Sequence, residues 1–282
     1  MKQRHNVYGY GLLGVSLLGL LFFYVIPLFY GGWQVFIEYG MISFSKGVRI
    51  YRDVFESITF RLALKNTISL ILCCIPTLLV LAISITWYMD CKRKRRQTWS
   101  LALWLIPYII PSVIVVQIIR LIFGKDGLLA FTKISFLDSE WAFYLLCFIF
   151  LWRNSGYIMV ILLSGCSNIA DEQREAAQLD GAGRKGVFWY IILPQLMPFI
   201  KFSVVMGVIG CFRLYRESYL LLGNQPCDEA YMLQNFLNNN FESWNFDRAV
   251  AASLILFVIM AIVWLILFAR ADREKEAAWK RY

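Results

Sequence analysis

The sequence EAAQLDGAGRKGVFWYIILPQLMP, residues 175–198, lies between two long apolar segments and guides the interpretation of the whole chain. Asn168 is placed to cap a short helix whose first turn carries Asp171 and Glu172, because acidic side chains are favoured at a helix N-terminus. Gly181 should end this helix, since glycine readily adopts the backbone angles found there. The stretch therefore predicts a bent pair of short helices, with alanines on an exposed turn that another protein can approach closely.

Two glycines and two prolines define the second half of this stretch. Gly183 and Gly186 are expected to keep the turn loose before a second helical segment. Pro194 and Pro198 are expected to mark the beginning of the next membrane helix, because proline is well tolerated in a first helical turn.

Seven residues of this stretch are spaced as in the signature loop of ABC importer permeases, which it resembles. The pattern is Glu-Ala-Ala, three residues, Gly, nine residues, Ile, one residue and Leu-Pro, filled here by Glu175, Ala176, Ala177, Gly181, Ile191, Leu193 and Pro194. In that family the loop is a coupling helix that docks in a cleft of the cytoplasmic ATPase subunit. The resemblance implies that ATPase contacts are made by Glu175, Ala176, Ala177, Leu179, Asp180 and Gly181. The alternative is an ordinary amphipathic connector.

The resemblance extends over about Leu62 to Arg270, and it is similar in detail to the carbohydrate-uptake branch and the maltose-type first permease. The further matches are Asp180, Ala182, Phe188 and Pro198. The chain departs from the pattern at Ala170, where the family often has proline before the loop. It departs again after the fifth apolar segment, where Asn224 and Gln225 replace the usual glycines.

Composition indicates an integral membrane protein. Hydrophobic residues make up 59% of the 282 and charged residues only 17%, which excludes an ordinary soluble domain. The net charge of +9 does not indicate nucleic-acid binding, because the basic residues cluster at the ends of apolar segments, where they orient a chain in the membrane. Membrane lipid is thus an expected partner and nucleic acid is not.

Six apolar segments are long enough to cross a bilayer, and each must be helical to pair its backbone amides. They run from about Tyr10 to Tyr30, Leu62 to Met89, Leu101 to Phe123, Trp141 to Cys166, Gln195 to Leu222 and Ala249 to Ala269. We predict an all-α polytopic protein with six transmembrane helices, and the resemblance implies the type I ABC importer permease fold. The expected divisions are a tail, first helix and outer loop (1–61), a permease core (62–270) and a cytoplasmic tail (271–282).

The basic residues predict the orientation. Lys2, Arg4, the run from Lys92 to Arg96 and the basic C-terminal tail outweigh the basic residues of the alternate loops. This places both termini and the Glu175 loop in the cytoplasm, and the resemblance implies that the membrane is a bacterial cytoplasmic membrane. No small-residue cleavage site follows the first apolar run, so we expect a retained span and not a signal peptide.

Polar residues within the apolar segments predict a substrate path. Arg153 lies near the middle of the fourth segment, with Tyr157 on the same face and Trp152 and Asn154 beside it. In the third, LIPYIIPS carries Tyr108 and Ser112 level with Arg153, and its two prolines should bend the helix.

The fifth segment adds further charges at this depth. Arg213 and Glu217 are four residues apart and are expected to pair, leaving Arg216 to a neighbour, a ligand or outer water. Two or more polar faces at one height are typical of a transporter site near the bilayer midplane. Helix packing with an internal salt bridge is the alternative for each residue.

The residue types suit sugars, which are held by planar hydrogen-bonding groups and aromatic faces. The resemblance implies that Tyr108, Ser112 and Tyr157 line the path. FRLYRES is more charged than the fifth span of maltose-type permeases, so Arg153, Arg213 and Arg216 favour a saccharide that carries a carboxylate. Rival interpretations are uptake of a phosphorylated polyol or other small solute, a membrane scaffold or sensor that transports nothing, and, more weakly, a membrane hydrolase.

No catalytic or metal-binding pattern is visible in the chain. There is no P-loop, and the single histidine, His5, lies in the N-terminal tail. We expect a non-catalytic subunit without a cofactor of its own, with ATP and Mg on partner subunits. The resemblance implies a second homologous permease, two ATP-binding subunits and an extracytoplasmic sugar-binding protein as partners.

Two outer segments and the cysteines complete the prediction. Glu38 to Arg61 is mixed in charge and expected at the membrane surface, and Gly223 to Asp247 is either a contact for substrate or its carrier, or a solvated connector. Five of the seven cysteines lie in apolar segments and are interpreted as small hydrophobes; Cys91 lies in a basic loop, and Cys227 is expected outside without an obvious partner.

Overall fold

The structure, a computed structural model, describes residues 13–90, 94–132 and 134–279. The predictions that concern Lys2, Arg4, His5, Cys91, Lys92, Lys133, Lys280 and Arg281, and the start of the first span at Tyr10, lie outside the described residues. The orientation of the chain rests partly on these residues and stays a prediction.

Helices make up most of the described chain, as predicted, and one small hairpin accompanies them. The hairpin pairs β1 (Ile37–Glu38) with β2 (Met41–Ile42) in antiparallel register, Ile37 opposite Ile42. In chain order the helices are α1 (Leu13–Gln34), α2 (Phe44–Glu56), α3 (Ile58–Asp90), α4 (Lys94–Ile109), α5 (Ser112–Phe123), α6 (Trp141–Ser167), α7 (Asp171–Leu179), α8 (Arg184–Val187), α9 (Leu193–Arg213), α10 (Tyr215–Leu222), α11 (Leu233–Glu242) and α12 (Phe246–Trp279). Single π-helical turns occur at Leu21–Val25 and Phe188–Ile192, and 3-10 turns at Ala130–Thr132 and Asp228–Ala230.

Four of these helical stretches are long and apolar enough to cross a membrane. They are Leu13–Gln34, Ile58–Met89, Trp141–Ser167 and Arg184–Leu222, the last running through α8, α9 and α10. The fifth predicted span therefore begins earlier than Gln195, and Pro198 lies inside α9 and does not mark its start, whereas Pro194 does lie in the first turn of α9. The sixth predicted span falls within α12. Six crossings stay a prediction.

The third predicted span is not one helix. Trp99–Ile109 and Ser112–Phe123 meet at an angle of 88°. The prolines explain the break, because Pro111 lacks the N–H that would continue the helix and holds Ile110 away from helical angles. The expected bend is thus present, but as a full break between α4 and α5.

The described chain divides into two compact units. The first contains Met1–Arg61 and Phe236–Tyr282, and the second contains Leu62–Asn235. In the first unit α2 packs against α12, and the Lys46 ammonium bonds both the Asp247 carboxylate and the Ile37 carbonyl, each at 2.7 Å. The hairpin turn uses Tyr39 and Gly40, both at positive φ, as two-residue hairpins require.

The second unit is built around α6, which carries the largest share of its buried side chains. Gly156 of α6 allows the closest approach, because a Cβ there would collide with the Trp104 carbonyl of α4. Gly165 similarly admits Leu196 and Phe199 of α9. Close packing against two helices fixes the frame in which the site lies.

The segment that follows α10 is pinned to α3 and is not a loose connector. The Asn66 amide donates to the carbonyls of Asp228 at 2.6 Å and Tyr231 at 3.0 Å, and the Thr67 hydroxyl accepts from the Leu233 N–H at 2.9 Å. Cys227, expected to lack a partner, donates its thiol to the Ser139 carbonyl at 3.6 Å, and burial raises its pKa. This anchoring fixes the position of the start of α11 relative to α3.

Candidate functional site

A cavity of about 630 Å³ lies within the second unit, at the break between α4 and α5. Its polar lining comes from four parts of the chain: Tyr108, Ser112, Arg153, Asn154, Arg213, Tyr215, Arg216, Glu217 and Gln234. Seven of these nine were predicted as path residues, so the structure brings most of the predicted set together. The volume is in the range of small-molecule sites in proteins.

Arg153 is the centre of a hydrogen-bonded network. One of its guanidinium nitrogens donates to Glu217 Oε1 and, at 3.0 Å, to the Ser112 hydroxyl. The Ser112 hydroxyl donates in turn to the same Glu217 oxygen at 2.6 Å. The predicted pairing of Glu217 with Arg213 is therefore wrong, because Arg153 of α6 and Ser112 of α5 bond the Glu217 carboxylate instead.

The other guanidinium nitrogen of Arg153 donates hydrogen bonds to backbone carbonyls at the break between α4 and α5. It donates to the carbonyls of Ile110 at 3.1 Å and Tyr108 at 3.5 Å, two groups whose helical partners the break removes. Arg153 and Glu217 are 16% and 7% exposed, so this ion pair is largely withdrawn from solvent. Its charge is neutralised within the protein, and a bound ligand is not required to balance it.

Arg213 and Arg216 are in the opposite situation. Both line the cavity, both are exposed, and within the described part of the chain neither makes a hydrogen bond or an ion pair. They lie in consecutive helices, Arg213 in the last turn of α9 and Arg216 in the first turn of α10. The cavity thus contains two uncompensated guanidinium groups, and these attract an anion.

The aromatic residues of the predicted path separate into two groups. Tyr108 and Tyr157 stack with ring centroids 5.1 Å apart and planes 9° apart, which makes Tyr108 a cavity wall supported by Tyr157. Trp152 stacks on Phe148 instead and is not among the residues that line the cavity. Asn154 lines the cavity, and its amide donates to the Phe150 carbonyl at 2.8 Å, which leaves its carbonyl oxygen available.

Gln234 is a lining residue that the sequence analysis did not assign to the path. It belongs to the segment Gly223 to Asp247, for which the sequence left open a contact with substrate or its carrier, or a solvated connector. The amides of this segment were the signal, but the position of Gln234 at the cavity depends on Asn66 and Thr67, which hold the start of α11 from a distance of more than 160 residues in sequence.

The loop of the quoted stretch forms a helix, α7, that begins with Asp171 and Glu172, as predicted. Its N-cap residue is Ala170 and not Asn168, because Asn168 instead ends α6. Gly181 follows at φ +86°, the left-handed conformation expected of a helix-terminating glycine. Gly183 precedes α8, whereas Gly186 lies inside it, so the predicted loose turn is shorter than expected.

α7 contains no buried residue, and its outer surface is open. Glu175, Ala176, Asp180 and Gly181 are exposed, and Leu179 is 89% exposed. Ala177 points the other way and packs against a cluster formed by Cys166, Ile169, Val187, Phe188, Ile192 and Leu196. Trp87 of α3 joins this cluster through its ring contact with Phe188, at 5.3 Å.

Two hydrogen bonds connect α7 to the spans on either side. Arg174 donates to the Cys166 carbonyl at the end of α6 at 2.8 Å, and Gln195 of α9 donates to the Gln173 side chain at 2.9 Å. α7 is therefore held by α6 and α9 on one face, while its other face is exposed.

A metal site is not visible in the described ranges, where no group of three or more His, Cys, Asp or Glu side chains is placed to hold an ion. The cysteines of the spans are free thiols, and Cys74, Cys147, Cys166 and Cys211 are buried as apolar side chains are.

The sequence is similar to a family of membrane transport proteins and to individual members of it. Residues 64–274 match the profile of the family described as binding-protein-dependent transport system inner membrane component. The chain is 27% identical to the multiple sugar-binding transport system permease protein MsmF of Streptococcus mutans, over 93% of this chain and 94% of that protein. It is 29% identical to the arabinooligosaccharides transport system permease protein AraP of Bacillus subtilis, over 89% of this chain and 83% of that protein.

A solved structure shares the fold. It is that of a bacterial ABC transporter involved in the import of the acidic polysaccharide alginate, with a TM-score of 0.80, 20% identity and 96% coverage of each chain.

Proposed function

The chain belongs to the family of binding-protein-dependent transport system inner membrane components, and we propose that it is the permease subunit of an ATP-driven importer for a sugar or oligosaccharide. It is a multi-pass membrane protein with several apolar helices. The carbohydrate class is supported by the names of MsmF and AraP and by a cavity that combines amide, hydroxyl, guanidinium and tyrosine groups.

The cavity at the α4–α5 break is the proposed substrate site. Broken helices that line a polar cavity at membrane depth are typical of transporter sites, because unpaired backbone groups are tolerated only there. In this proposal Tyr108, Asn154 and Gln234 contact the saccharide, and the Arg153–Ser112–Glu217 network holds the helices that carry them. Tyr157 supports Tyr108, and Trp152 packs outside the cavity.

The saccharide that fits best carries a carboxylate. The observation that supports this choice is the pair Arg213 and Arg216, which line the cavity without a partner among the described residues, while Arg153 is already neutralised by Glu217. Guanidinium groups bind carboxylates by bidentate, charge-assisted hydrogen bonds, each worth about 1.5–3 kcal/mol. The fold shared with an importer of an acidic polysaccharide is consistent with this choice.

A phosphorylated polyol or another small anionic solute is the second candidate, and the same two arginines favour it. Phosphate accepts the guanidinium fork as well as carboxylate does. Competition between ligands of matched size separates the two candidates.

α7 is the proposed coupling helix. Closure of two ATP-binding subunits would pull on Glu175, Ala176, Leu179, Asp180 and Gly181 at the exposed face, while Ala177 passes the displacement to the cluster beneath. Arg174 and Gln173 tie the helix to α6 and α9, which line the cavity. The spans would then alternate between inward-open and outward-open states around the cavity. A second, homologous permease and an extracytoplasmic sugar-binding protein complete the proposed complex, and ATP and Mg are held by the partner ATPases.

The test is ligand-stimulated ATP hydrolysis by the complex, co-expressed with its partner permease, ATPase and binding protein. Neutral and acidic oligosaccharides of equal length are compared in the native chain, in R213Q/R216Q and in the control R49Q, which changes an arginine far along the chain in the other unit. We expect stimulation by the acidic ligand, reduced about tenfold or more in apparent affinity by R213Q/R216Q and unchanged by R49Q.

Stimulation by neutral sugars alone would overturn the acidic substrate but not the importer. Unchanged uptake after substitution of both Glu175 and Gly181 would support the scaffold or sensor alternative instead.

A further inference from the structure

The segment between α1 and α3 is held close to one membrane surface by its covalent neighbours. It runs from residue 35 to residue 57, between the end of the span Leu13–Gln34 and the start of the span Ile58–Met89. It contains the small hairpin and α2, which begins with a cap by the Ser43 hydroxyl on the Lys46 N–H at 3.3 Å. With so few residues outside the spans, α2 cannot move far from the bilayer.

One face of α2 is fixed against its own unit. Gly47 and Val54 are buried, and the Phe36 ring lies directly on Gly47, where a side chain would not fit. The bonds from Lys46 to Asp247 and Ile37 secure the same side to α12 and the hairpin. The helix therefore cannot rotate to bury another face within the unit.

A neighbouring face of α2 is apolar and uncovered. Phe44, Val48 and Phe55 follow the spacing of one helical face and are 74%, 50% and 51% exposed. We call these three residues the α2 stripe. Arg49 lies about 100° or more around the helix from each residue of the stripe, whereas Arg52 lies at the edge of the stripe, and both arginines are exposed. An apolar face bordered by charged residues is the pattern of a helix that lies in a membrane interface.

The chain on either side of the segment also exposes apolar and aromatic side chains, as lipid-facing helices do. Exposed aromatic residues, Phe29, Tyr30 and Trp33, occupy the last turns of α1, immediately before the segment, and exposed Ile58 begins α3 immediately after it. At the start of α12, Trp244 and Phe246 form a further exposed aromatic group. Aromatic side chains collect at the headgroup level of membranes, so the residues on either side of the segment in the sequence have the character of a membrane interface.

We propose that α2 is an interfacial membrane anchor, with the α2 stripe inserted at the boundary between headgroups and acyl chains and Arg49 and Arg52 on the headgroup side. The occupant of the stripe is lipid, not the sugar-binding protein and not the second permease. Such a helix fixes the depth and tilt of α1 and of the start of α3, and with them the outer end of the unit.

The test measures the depth of α2 in the assembled complex, reconstituted in phosphatidylcholine–phosphatidylglycerol vesicles. A fluorescent amino acid is introduced by codon suppression at Val48 or, as a matched control, at the adjacent Arg49. Brominated lipids then quench whichever probe they reach. We expect quenching at Val48 to exceed that at Arg49 by about twofold or more, because stripe residues insert by about 5–10 Å.

Equal quenching at the two positions overturns the proposal. So does a Val48 probe that responds to added binding protein, because the stripe would then be a protein contact. A Val48 probe shielded from both lipid and binding protein would assign the stripe to the second permease, which also overturns it. A second variant, V48D, is expected to weaken quenching of a probe at Phe44 while the complex stays assembled, and unchanged quenching there contradicts insertion.

Discussion

The cavity and α7 belong to the same unit but are stabilised in opposite ways. At the cavity, Arg153, Ser112 and Glu217 are hydrogen-bonded to one another away from solvent. At Gly156 the packing against α4 leaves no room for a side chain. α7 buries no residue, and the structure holds it by two hydrogen bonds and by Ala177 on a hydrophobic cluster. The cavity frame is closely packed, whereas α7 is exposed and is the region where we expect a partner to act.

This difference predicts whether a substitution in each region changes the stability of the protein or the response of the complex to ligand. Substitutions in the cavity frame should lower the stability of the protein itself. Substitutions at α7 should leave stability nearly unchanged and disturb only the response of the complex to ligand. The two readouts are thermal unfolding of the assembled complex in detergent and ligand-stimulated ATP hydrolysis.

The largest effect is expected from breaking the ion pair on one side. R153M leaves the Glu217 carboxylate buried without its cation and frees the Ile110 and Tyr108 carbonyls. We expect a loss of about 3–5 kcal/mol in stability. The double variant R153M/E217M removes the unpaired charge and should recover a substantial part of the loss. A double variant that shows the sum of the two single losses would contradict a coupled pair.

A smaller loss is expected from G156A. The added Cβ collides with the backbone carbonyl of Trp104, which cannot move without shifting α4. Overpacking of this kind costs about 1–3 kcal/mol. The matched control is G186A in α8, where the new Cβ lies 3.6 Å from Ala182, an ordinary contact. Equal melting temperatures for the two variants would show that the α4–α6 approach is not tight.

G181A tests α7 through its backbone. The position has φ +86° but open space around it, so alanine is disfavoured by about 1–2 kcal/mol for conformational reasons alone. We expect α7 to end differently, with weaker stimulated ATP hydrolysis and little change in melting temperature. G183A has equal space at a negative φ and should behave as the native chain does. If G183A lowers stimulated ATP hydrolysis as much as G181A does, the cause is the size of the added methyl group and not the backbone conformation.

The smallest effect is expected from Q195A, which removes the exposed hydrogen bond between α9 and Gln173. Such bonds contribute about 0.5–1.5 kcal/mol. The expected result is a modest loss of coupling with unchanged ligand affinity. If Q195A shows the same stimulated ATP hydrolysis as the native chain, the contacts of Arg174 and Ala177 are sufficient for coupling without this hydrogen bond.

The sequence predicted local features better than distant ones. α7 was predicted with its acidic first turn and its terminating glycine, because these depend on neighbours within a few residues. The pairing of Glu217 was predicted wrongly, since its partners Arg153 and Ser112 lie 64 and 105 residues away in the sequence, and α10, which carries Glu217, packs against α5. Gln234 was not assigned to the path, and its segment was left open between a substrate contact and a solvated connector, because its position depends on anchors far back in α3.

The effect of the prolines was predicted only in part. Two of them in LIPYIIPS were enough to predict a bend, but an 88° break requires that the freed carbonyls find other donors, and Arg153 supplies these from another span. The sequence placed Arg153 and Ser112 at one depth, yet nothing local indicated that the arginine would bond the break itself.

The contacts of Arg153 also constrain the order in which the chain can assemble during synthesis. When α4 and α5 leave the ribosome, the carbonyls at their break have no donor, and bare carbonyls are costly in hydrocarbon. Their donor arrives with α6, and the carboxylate that neutralises this donor is Glu217, 105 residues after Ser112. We therefore expect the broken segment α4–α5 to stay in the insertion machinery or in contact with water until α10 has been made, and a ribosome stalled between α6 and α10 should leave that segment incompletely inserted.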